Sequence, residues 1–191
     1  MLIAFNKPCG VLSQFTPDGK NRTLAEFNFP KDVYPIGRLD SDSEGLLLLS
    51  DQARWNTRIL NPKEAIWKTY YAQVERVPNS DTILPLRTGV IIEGKKTLPA
   101  RVEILDPQPD ILPRNPPIRY RKNVPDCWIA LQICEGRNRQ VRKMTAAVGH
   151  PTLRLIRIAI GELKLDTLLQ GEWKTVSESE ATAIFSRSAT P

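Results

Sequence analysis

The sequence contains a single histidine among 191 residues, and this scarcity excludes several classes of catalyst. Ser-His-Asp and Cys-His systems need a histidine beside the nucleophile, whereas His150 lies between Gly149 and Pro151, where a helix is expected to end. We therefore expect His150 to be a loop or capping side chain. Histidine-rich metal sites are also excluded, and no group of acids has the spacing of a calcium loop. Carboxylates, lysine, arginine or tyrosine must carry any catalysis.

Cysteines and long apolar runs are scarce as well. Cys9, Cys127 and Cys134 are odd in number and lack Cys-x-x-Cys spacing, which argues against a disulfide framework and against a zinc site. No apolar run approaches the length that spans a membrane, and no basic segment precedes the first apolar run. We expect a protein of the reducing cytoplasm that is neither exported nor bound to a membrane.

Positive charge is in excess and unevenly distributed. Lysine and arginine number 27 against 21 acids, so the net charge is +6, the sign expected of a protein that binds a polyanion. Between residues 136 and 157 the sequence has six cations and no acid: Arg137, Arg139, Arg142, Lys143, Arg154 and Arg157. This pattern indicates either a nucleic-acid-binding patch or a solvated helix face.

The pattern of predicted elements indicates an α+β fold. Short strands are predicted near residues 1–7, 67–74, 98–105, 127–134 and 153–160, and they outnumber the helices, so we expect a largely antiparallel sheet. Asp51, Asn138 and Ser177 each precede a segment that they can cap as a helix. In the strand near residue 70, Tyr70 and Tyr71 must point to opposite faces, one to the core and the other to a cleft.

Residues 106–126 form a proline-rich, basic segment. Six prolines break any strand pattern there, because proline has no N–H to donate to a sheet. The segment is either a disordered surface insertion or a loop that RNA orders. We expect one domain over residues 1–186, interrupted only by this loop and followed by a polar tail at 187–191.

The most informative stretch is a polar loop bounded by Gly37 and Gly45, which four successive leucines follow. The leucines predict a short strand buried on both faces, which would fix the loop in place. Asp40, Asp42 and Glu44 alternate along the loop, and Leu39 is expected to point inward beside Asp40. The alternative is a solvated turn in which these acids only cap the local backbone.

Four motifs occur in a fixed order along nearly the whole chain. They are Asn6-Lys7-Pro8-Cys9-Gly10, then Gly37-Arg38-Leu39-Asp40 with Ser43-Glu44-Gly45-Leu46-Leu47-Leu48, then Lys68-Thr69-Tyr70, and lastly Glu135-Gly136-Arg137-Asn138-Arg139-Gln140-Val141-Arg142-Lys143-Met144. Together they resemble the motifs of the RsuA family of ribosomal RNA pseudouridine synthases. One such motif alone would be weak, but four in order form a specific signal.

This resemblance implies a role for each matching residue. It implies the pseudouridine synthase catalytic domain, with a mainly antiparallel sheet and a central cleft, and it makes Asp40 the nucleophile. Tyr70 would stack on the target base and is a candidate acceptor for its proton, while Arg142 would pair with Asp40 and keep it ionised. Five further cations of the motifs would bind substrate: Lys7, Arg38, Arg137, Arg139 and Lys143.

The resemblance also implies the partners. The substrate would be rRNA, either 23S rRNA or an assembly intermediate of the large subunit, and a monomer without cofactor or metal would isomerise one uridine in it. We expect the catalytic domain to act without the small amino-terminal RNA-binding domain that many family members carry. Two other classes stay open: a non-catalytic basic RNA-binding or ribosome-assembly protein, and a carboxylate hydrolase that uses Asp40 and Glu44.

Overall fold

A computed structural model describes residues 1–118 and 124–186. Its strands are β1 (Leu2–Lys7), β2 (Val11–Leu12), β3 (Arg22–Thr23), β4 (Tyr34–Pro35), β5 (Glu44–Ser50), β6 (Lys68–Glu75), β7 (Ile91–Ile92), β8 (Lys95–Lys96), β9 (Arg101–Ile104), β10 (Asp126–Ile133), β11 (Thr152–Ile160), β12 (Leu163–Lys164) and β13 (Trp173–Thr175). Its α-helices are α1 (Ala53–Ile59), α2 (Ser80–Thr88), α3 (Gln140–Ala147) and α4 (Glu178–Ala183), with 3₁₀ helices at Leu24–Phe27 and Pro62–Glu64. The predicted α+β class is confirmed.

The chain forms two compact units. The first contains Met1–Lys68 and the chain from Ile156 onward, and the second contains Thr69–Leu155. The prediction of a single domain over residues 1–186 stays a prediction, as does the central cleft. The predicted tail at 187–191 lies outside the described residues.

The first unit is built on the sheet β13-β1-β5-β11, in that order. Strand β5 lies in its interior, antiparallel to β1 and parallel to the middle of β11, where Ile156 is opposite Glu44 and Arg157 is opposite Gly45. All seven residues of β5 are buried, as the four leucines predicted. Leucines from alternating positions pack with residues of β1, α1 and α4 in one hydrophobic cluster.

The second unit contains β6, β10 and β9 as neighbours, with α2, α3 and the pair β7–β8. Helix α2 was not predicted, because Pro85 lies inside it and proline ordinarily ends a helix. Its start is nevertheless well capped: the side chain of Asn79 accepts from the Thr82 N–H, and the Thr82 hydroxyl accepts from the Asn79 N–H.

Two of the three predicted helix caps are wrong. The Asp51 carboxylate accepts a 2.5 Å hydrogen bond from the amino terminus, and α1 begins after Gln52 without a side-chain cap. Helix α3 begins after Arg139, whose φ of 50° is left-handed, and the Asn138 side chain instead accepts from Lys143 Nζ. The Ser177 cap of α4 is confirmed, since its hydroxyl accepts from the Glu180 N–H.

The proline-rich segment has neither helix nor strand at residues 106–118 and 124–125, and β10 begins at Asp126. Three of its basic residues lie outside the described part of the chain: Arg119, Arg121 and Lys122. In the described ranges, no helix has the length and apolar character needed to cross a membrane.

Candidate active site

The loop of residues 36–43 carries Asp40 and leads directly into β5. Leu39 is buried, as predicted, and Asp40 beside it is half-buried. Glycine is required where the loop ends, because a Cβ on Gly45 would lie 2.3 Å from the carbonyl oxygen of Arg157 on β11. The close approach of β11 and the burial of β5 fix the C-terminal end of the loop.

Ser13 holds the backbone immediately before Asp40. Its hydroxyl donates to the Leu39 carbonyl at 2.7 Å and accepts from the Leu39 N–H at 3.0 Å. Ser13 is itself buried, so these two bonds satisfy backbone groups that water would otherwise have to satisfy. Ser13 could not be recognised from the sequence, because its partner lies 26 positions away and a serine after a short strand belongs to no pattern.

The backbone immediately after Asp40 is held as well. The Ser41 carbonyl accepts from the Gly10 N–H at 2.7 Å and from Lys7 Nζ at 3.5 Å. The Ser43 N–H donates to the Asp40 carbonyl at 3.0 Å and closes a tight turn. Both residues that flank Asp40 are therefore fixed by the end of β1 and the chain that follows it.

Lys7 lies beneath this loop, with no solvent exposure. Its ammonium also donates to the carbonyls of Val11, at 2.7 Å, and Pro8, at 2.9 Å. Burial lowers the pKa of Lys7 to about 8, although Cys9 and the nearby loop carboxylates, Glu44 foremost, favour the charged form. The structure thus shows Lys7 holding the loop, and its predicted contact with substrate stays a prediction.

Glu44 is a second buried ionisable group at the base of the loop. It is fully buried, and its carboxylate accepts a 2.6 Å hydrogen bond from the Gln170 side chain. Gln170 comes from the segment between β12 and β13, and no sequence pattern connects it with Glu44. This bond links the first residue of β5 to the chain 126 positions away.

The basic patch predicted over residues 136–157 is smaller than expected. Arg154 and Arg157 are buried, and each donates to a backbone carbonyl: Arg154 to Leu112 at 2.7 Å and Arg157 to Leu46 at 2.7 Å. Because their guanidinium groups lie within the protein, they add nothing to an RNA-binding surface. Arg38, by contrast, is exposed two positions before Asp40.

Tyr70 and Arg142 belong to the second unit, whereas Asp40 belongs to the first. Tyr70 lies in β6 with 8% of its surface exposed, and Tyr71 is half-buried on the opposite face, which agrees with the predicted alternation. Arg142 is half-buried on α3, and its Nη1 donates to the Thr152 carbonyl at 3.2 Å. The roles of these two residues stay predictions.

The segment that leads into α3 places three more predicted cations. Arg139 is exposed, and Arg137 is half-buried, with its guanidinium directed at the backbone of β8. Lys143 forms a 2.7 Å ion pair with Glu93, so its charge already has a partner. Of these three cations, Arg137 and Lys143 are therefore already bound to protein groups.

His150 lies in the loop between α3 and β11, as expected. It is buried, and its Nδ1 lies 2.9 Å from the Glu75 carbonyl. Among residues 1–118 and 124–186, no three histidine, cysteine or acidic side chains are grouped so that they could hold a metal ion.

A cavity of about 480 Å³ lies at the other end of β1 from the Asp40 loop. It is lined by residues that include Met1, Trp55, Arg58 and Phe185, and by none of the residues 36–44. Leu2 of β1 pairs with Ser50 at this end, while Lys7 pairs with Gly45 beside the loop. The cavity is therefore separate from the candidate site.

Comparison with known proteins agrees with the four motifs. The family model described as RNA pseudouridylate synthase matches residues 1–147. A ribosomal large subunit pseudouridine synthase E of Xanthomonas axonopodis pv. citri is 55% identical over 170 residues, which cover 88% of this chain and 90% of that protein. A ribosomal large subunit pseudouridine synthase B of Bacillus subtilis is 35% identical and is covered over 67% of its length, with 91% of this chain.

A solved structure is also similar. The crystal structure of a pseudouridylate synthase superposes with a TM-score of 0.79 at 29% sequence identity, covering 96% of this chain and 73% of that one. The family match over residues 1–147, the identity to these relatives and the shared fold lead to one conclusion. The chain belongs to the RNA pseudouridylate synthase family and is a pseudouridine synthase of the RsuA type.

Proposed function

We propose that this enzyme isomerises one uridine of large-subunit rRNA to pseudouridine and that Asp40 is its nucleophile. The proposal of a large-subunit substrate is supported by relatives whose names state it, at 55% and 51% identity over about nine-tenths of the chain. The proposal of Asp40 is supported by the Gly37-Arg38-Leu39-Asp40 motif and by the environment of the loop. As a monomer in the cytoplasm, the enzyme would act on 23S rRNA or on an assembling particle.

The isomerisation conserves every atom of the uridine. The bond between the ribose and N1 of uracil breaks, the base turns, a bond forms between the ribose and C5, and the C5 proton moves to solvent while N1 is protonated. The ionised carboxylate of Asp40 forms and then loses a transient bond with the substrate, at the sugar or at the base ring. No electrons enter or leave, so the reaction requires no redox carrier.

One observation supports the assignment of Asp40 as the nucleophile: the backbone is fixed on both sides of this residue. Ser13 holds Leu39 through two hydrogen bonds, and Gly10 and Lys7 hold the carbonyl of Ser41. A nucleophile must be held at the distance and angle of attack, because a small misplacement greatly lowers the rate. A solvated turn, the alternative reading of this loop, would not need such fixed flanks.

The residues of the second unit complete the proposal. Arg142 pairs with Asp40 in the substrate complex, which keeps the carboxylate charged in a site from which water is excluded. Tyr70 stacks against the uracil ring and is a candidate acceptor for the C5 proton. The uridine must leave its own stack to reach them, which costs about a few kcal/mol and favours a target in a loop or an imperfect helix.

The test is to map pseudouridine in rRNA from cells with and without the gene, and then in 23S and 16S rRNA treated with the purified protein. The proposal predicts a single 23S uridine that is modified only when the protein is present. Binding to 23S rRNA without any modified uridine would favour the non-catalytic RNA-binding alternative. Modification confined to 16S rRNA would contradict the large-subunit assignment.

A further inference from the structure

The pair β7–β8 is a very short hairpin in the second unit. Ile91 pairs with Lys96 and Ile92 with Lys95, and the turn between them consists of Glu93 and Gly94, both with positive φ. Two central residues of this kind form the turn that matches the natural twist of a hairpin. Two-residue strands are nevertheless not stable alone, so contacts outside the hairpin must hold it.

Those contacts come from the segment that leads into α3. The Arg137 guanidinium donates to the carbonyls of Lys95, at 3.4 Å, and Lys96, at 3.3 Å. The Glu135 carboxylate accepts from the Leu98 N–H at 2.9 Å, just after the hairpin. The hairpin is thus held by residues of the fourth family motif, the segment that was expected to meet RNA.

The ion pair between Lys143 and Glu93 adds a contact at the turn of the hairpin. The Lys143 ammonium holds the pKa of Glu93 below its usual range through a hydrogen bond and its charge, so Glu93 is ionised at neutral pH. The opposite charges of Lys143 and Glu93 therefore largely cancel in their combined effect on a polyanion such as RNA. In this arrangement Lys143 and Arg137 support the hairpin, and their charges are directed at protein groups.

Lys95 and Lys96 are the cations that this arrangement leaves available. Both are exposed, and within residues 1–118 and 124–186 neither ammonium has a hydrogen-bond or ion-pair partner. As neighbours in a strand they point to opposite faces of the hairpin, so each can meet a different anionic group. With Glu93 paired, no unpaired acid of the hairpin opposes them.

We propose that the β7–β8 hairpin is an RNA-binding element in which Lys95 and Lys96 each contact one phosphate of the substrate RNA, away from the isomerised uridine. The inference rests on the proposed function insofar as the bound polymer is the substrate rRNA. It reassigns Lys143, for which the resemblance implied substrate binding, as a support for the hairpin.

The first experiment measures the affinity for a 23S rRNA fragment over a salt series for Lys95→Met, Lys96→Met and the double variant. Methionine keeps the apolar stem and removes the charge. Each single variant is expected to reduce the slope of log affinity against log salt by about 0.7–0.9, and the double variant by twice that. At 0.1 M salt, this corresponds to an affinity about five- to eightfold weaker per lysine. Lys63→Met, at an exposed site in the first unit, serves as the control and should match wild type.

A second comparison separates support from direct contact. The double variant Glu93→Gln/Lys143→Met removes one charge of each sign, and Arg137 and Glu135 still hold the hairpin. A supporting Lys143 therefore predicts a wild-type salt slope. A direct phosphate contact by Lys143 predicts a slope lower by about one unit. That result would overturn the reassignment.

The hairpin proposal and the proposed function fail in different ways. If the Lys95→Met/Lys96→Met variant keeps the wild-type slope and affinity while the wild-type enzyme forms pseudouridine, the hairpin proposal is wrong and the function stands. If the wild-type protein forms no pseudouridine but its RNA affinity depends on both lysines, the hairpin proposal stands and the function is wrong.

Discussion

Replacing Ser13 with alanine is expected to slow isomerisation without weakening RNA binding. The substitution removes both hydrogen bonds to Leu39 and leaves its N–H and carbonyl without these partners in a buried place. An unpaired buried polar group costs about 1–3 kcal/mol, which the loop can avoid only by moving. Since Asp40 is the next residue, a shift of about 1 Å would displace the proposed nucleophile. We expect a single-turnover rate lower by about 10- to 100-fold at saturating RNA.

Ser50 supplies a matched control for this prediction. It is a buried serine of the same unit whose hydroxyl also donates to a carbonyl, that of Met1 at 2.5 Å, and accepts from an N–H, that of Gln52 at 3.0 Å. Ser50→Ala should therefore lower the melting temperature about as much as Ser13→Ala does, but leave the rate unchanged. Ser13→Thr keeps a hydroxyl and should recover most of the wild-type rate.

The measurement is the single-turnover rate at saturating RNA, together with the dissociation constant and the melting temperature of each variant. A Ser13→Ala rate within about twofold of wild type would refute the claim that this hydroxyl positions Asp40. Equal losses of rate in Ser13→Ala and Ser50→Ala would refute it too, because the effect would then follow stability alone.

Two further predictions concern charged groups. If Arg142 pairs with Asp40 as proposed, Arg142→Met removes the partner of that carboxylate and should lower the saturated single-turnover rate by about 10²-fold; a variant that only binds RNA more weakly would contradict the proposed pair. For Lys7, the folded-state pKa of about 8 lies below the ordinary lysine value of 10.5, so above pH 8 the unfolded chain holds the extra proton. The free energy of unfolding of wild type minus that of Lys7→Met should therefore rise between pH 8 and 10, by at most about 1.4 kcal/mol per pH unit. A difference that stays constant in denaturant titrations over this range would show that burial does not lower the pKa.

The elements that sequence predicted well are those set by local patterns. Four leucines in a row predicted the buried strand β5, and alternation along the loop predicted that Leu39 points inward; both agree with the structure. The Ser177 cap was also found, since both partners of its hydrogen bonds lie within four residues.

Contacts between distant parts of the chain could not be predicted in this way. The Asn138 side chain is bonded to Lys143 instead of capping α3, and Asp51 is paired with the amino terminus, 50 positions away. The bonds from Ser13 to Leu39 and from Gln170 to Glu44 join segments 26 and 126 positions apart. The periodicity of a single sequence does not reveal such contacts, because they depend on which strands become neighbours in the fold.

The substitution Asp40→Asn tests directly whether Asp40 is the nucleophile. Asparagine keeps the size of the side chain and its capacity to accept a hydrogen bond but removes the ionised oxygen that the reaction requires. Pseudouridine formation in 23S rRNA is measured under single-turnover conditions, together with the dissociation constant of the RNA. If Asp40 is the nucleophile, the Asp40→Asn variant should form no detectable pseudouridine and should bind RNA with an affinity close to that of wild type. A rate within about tenfold of wild type, a barrier difference of only about 1.4 kcal/mol, would contradict the assignment of Asp40 as the nucleophile.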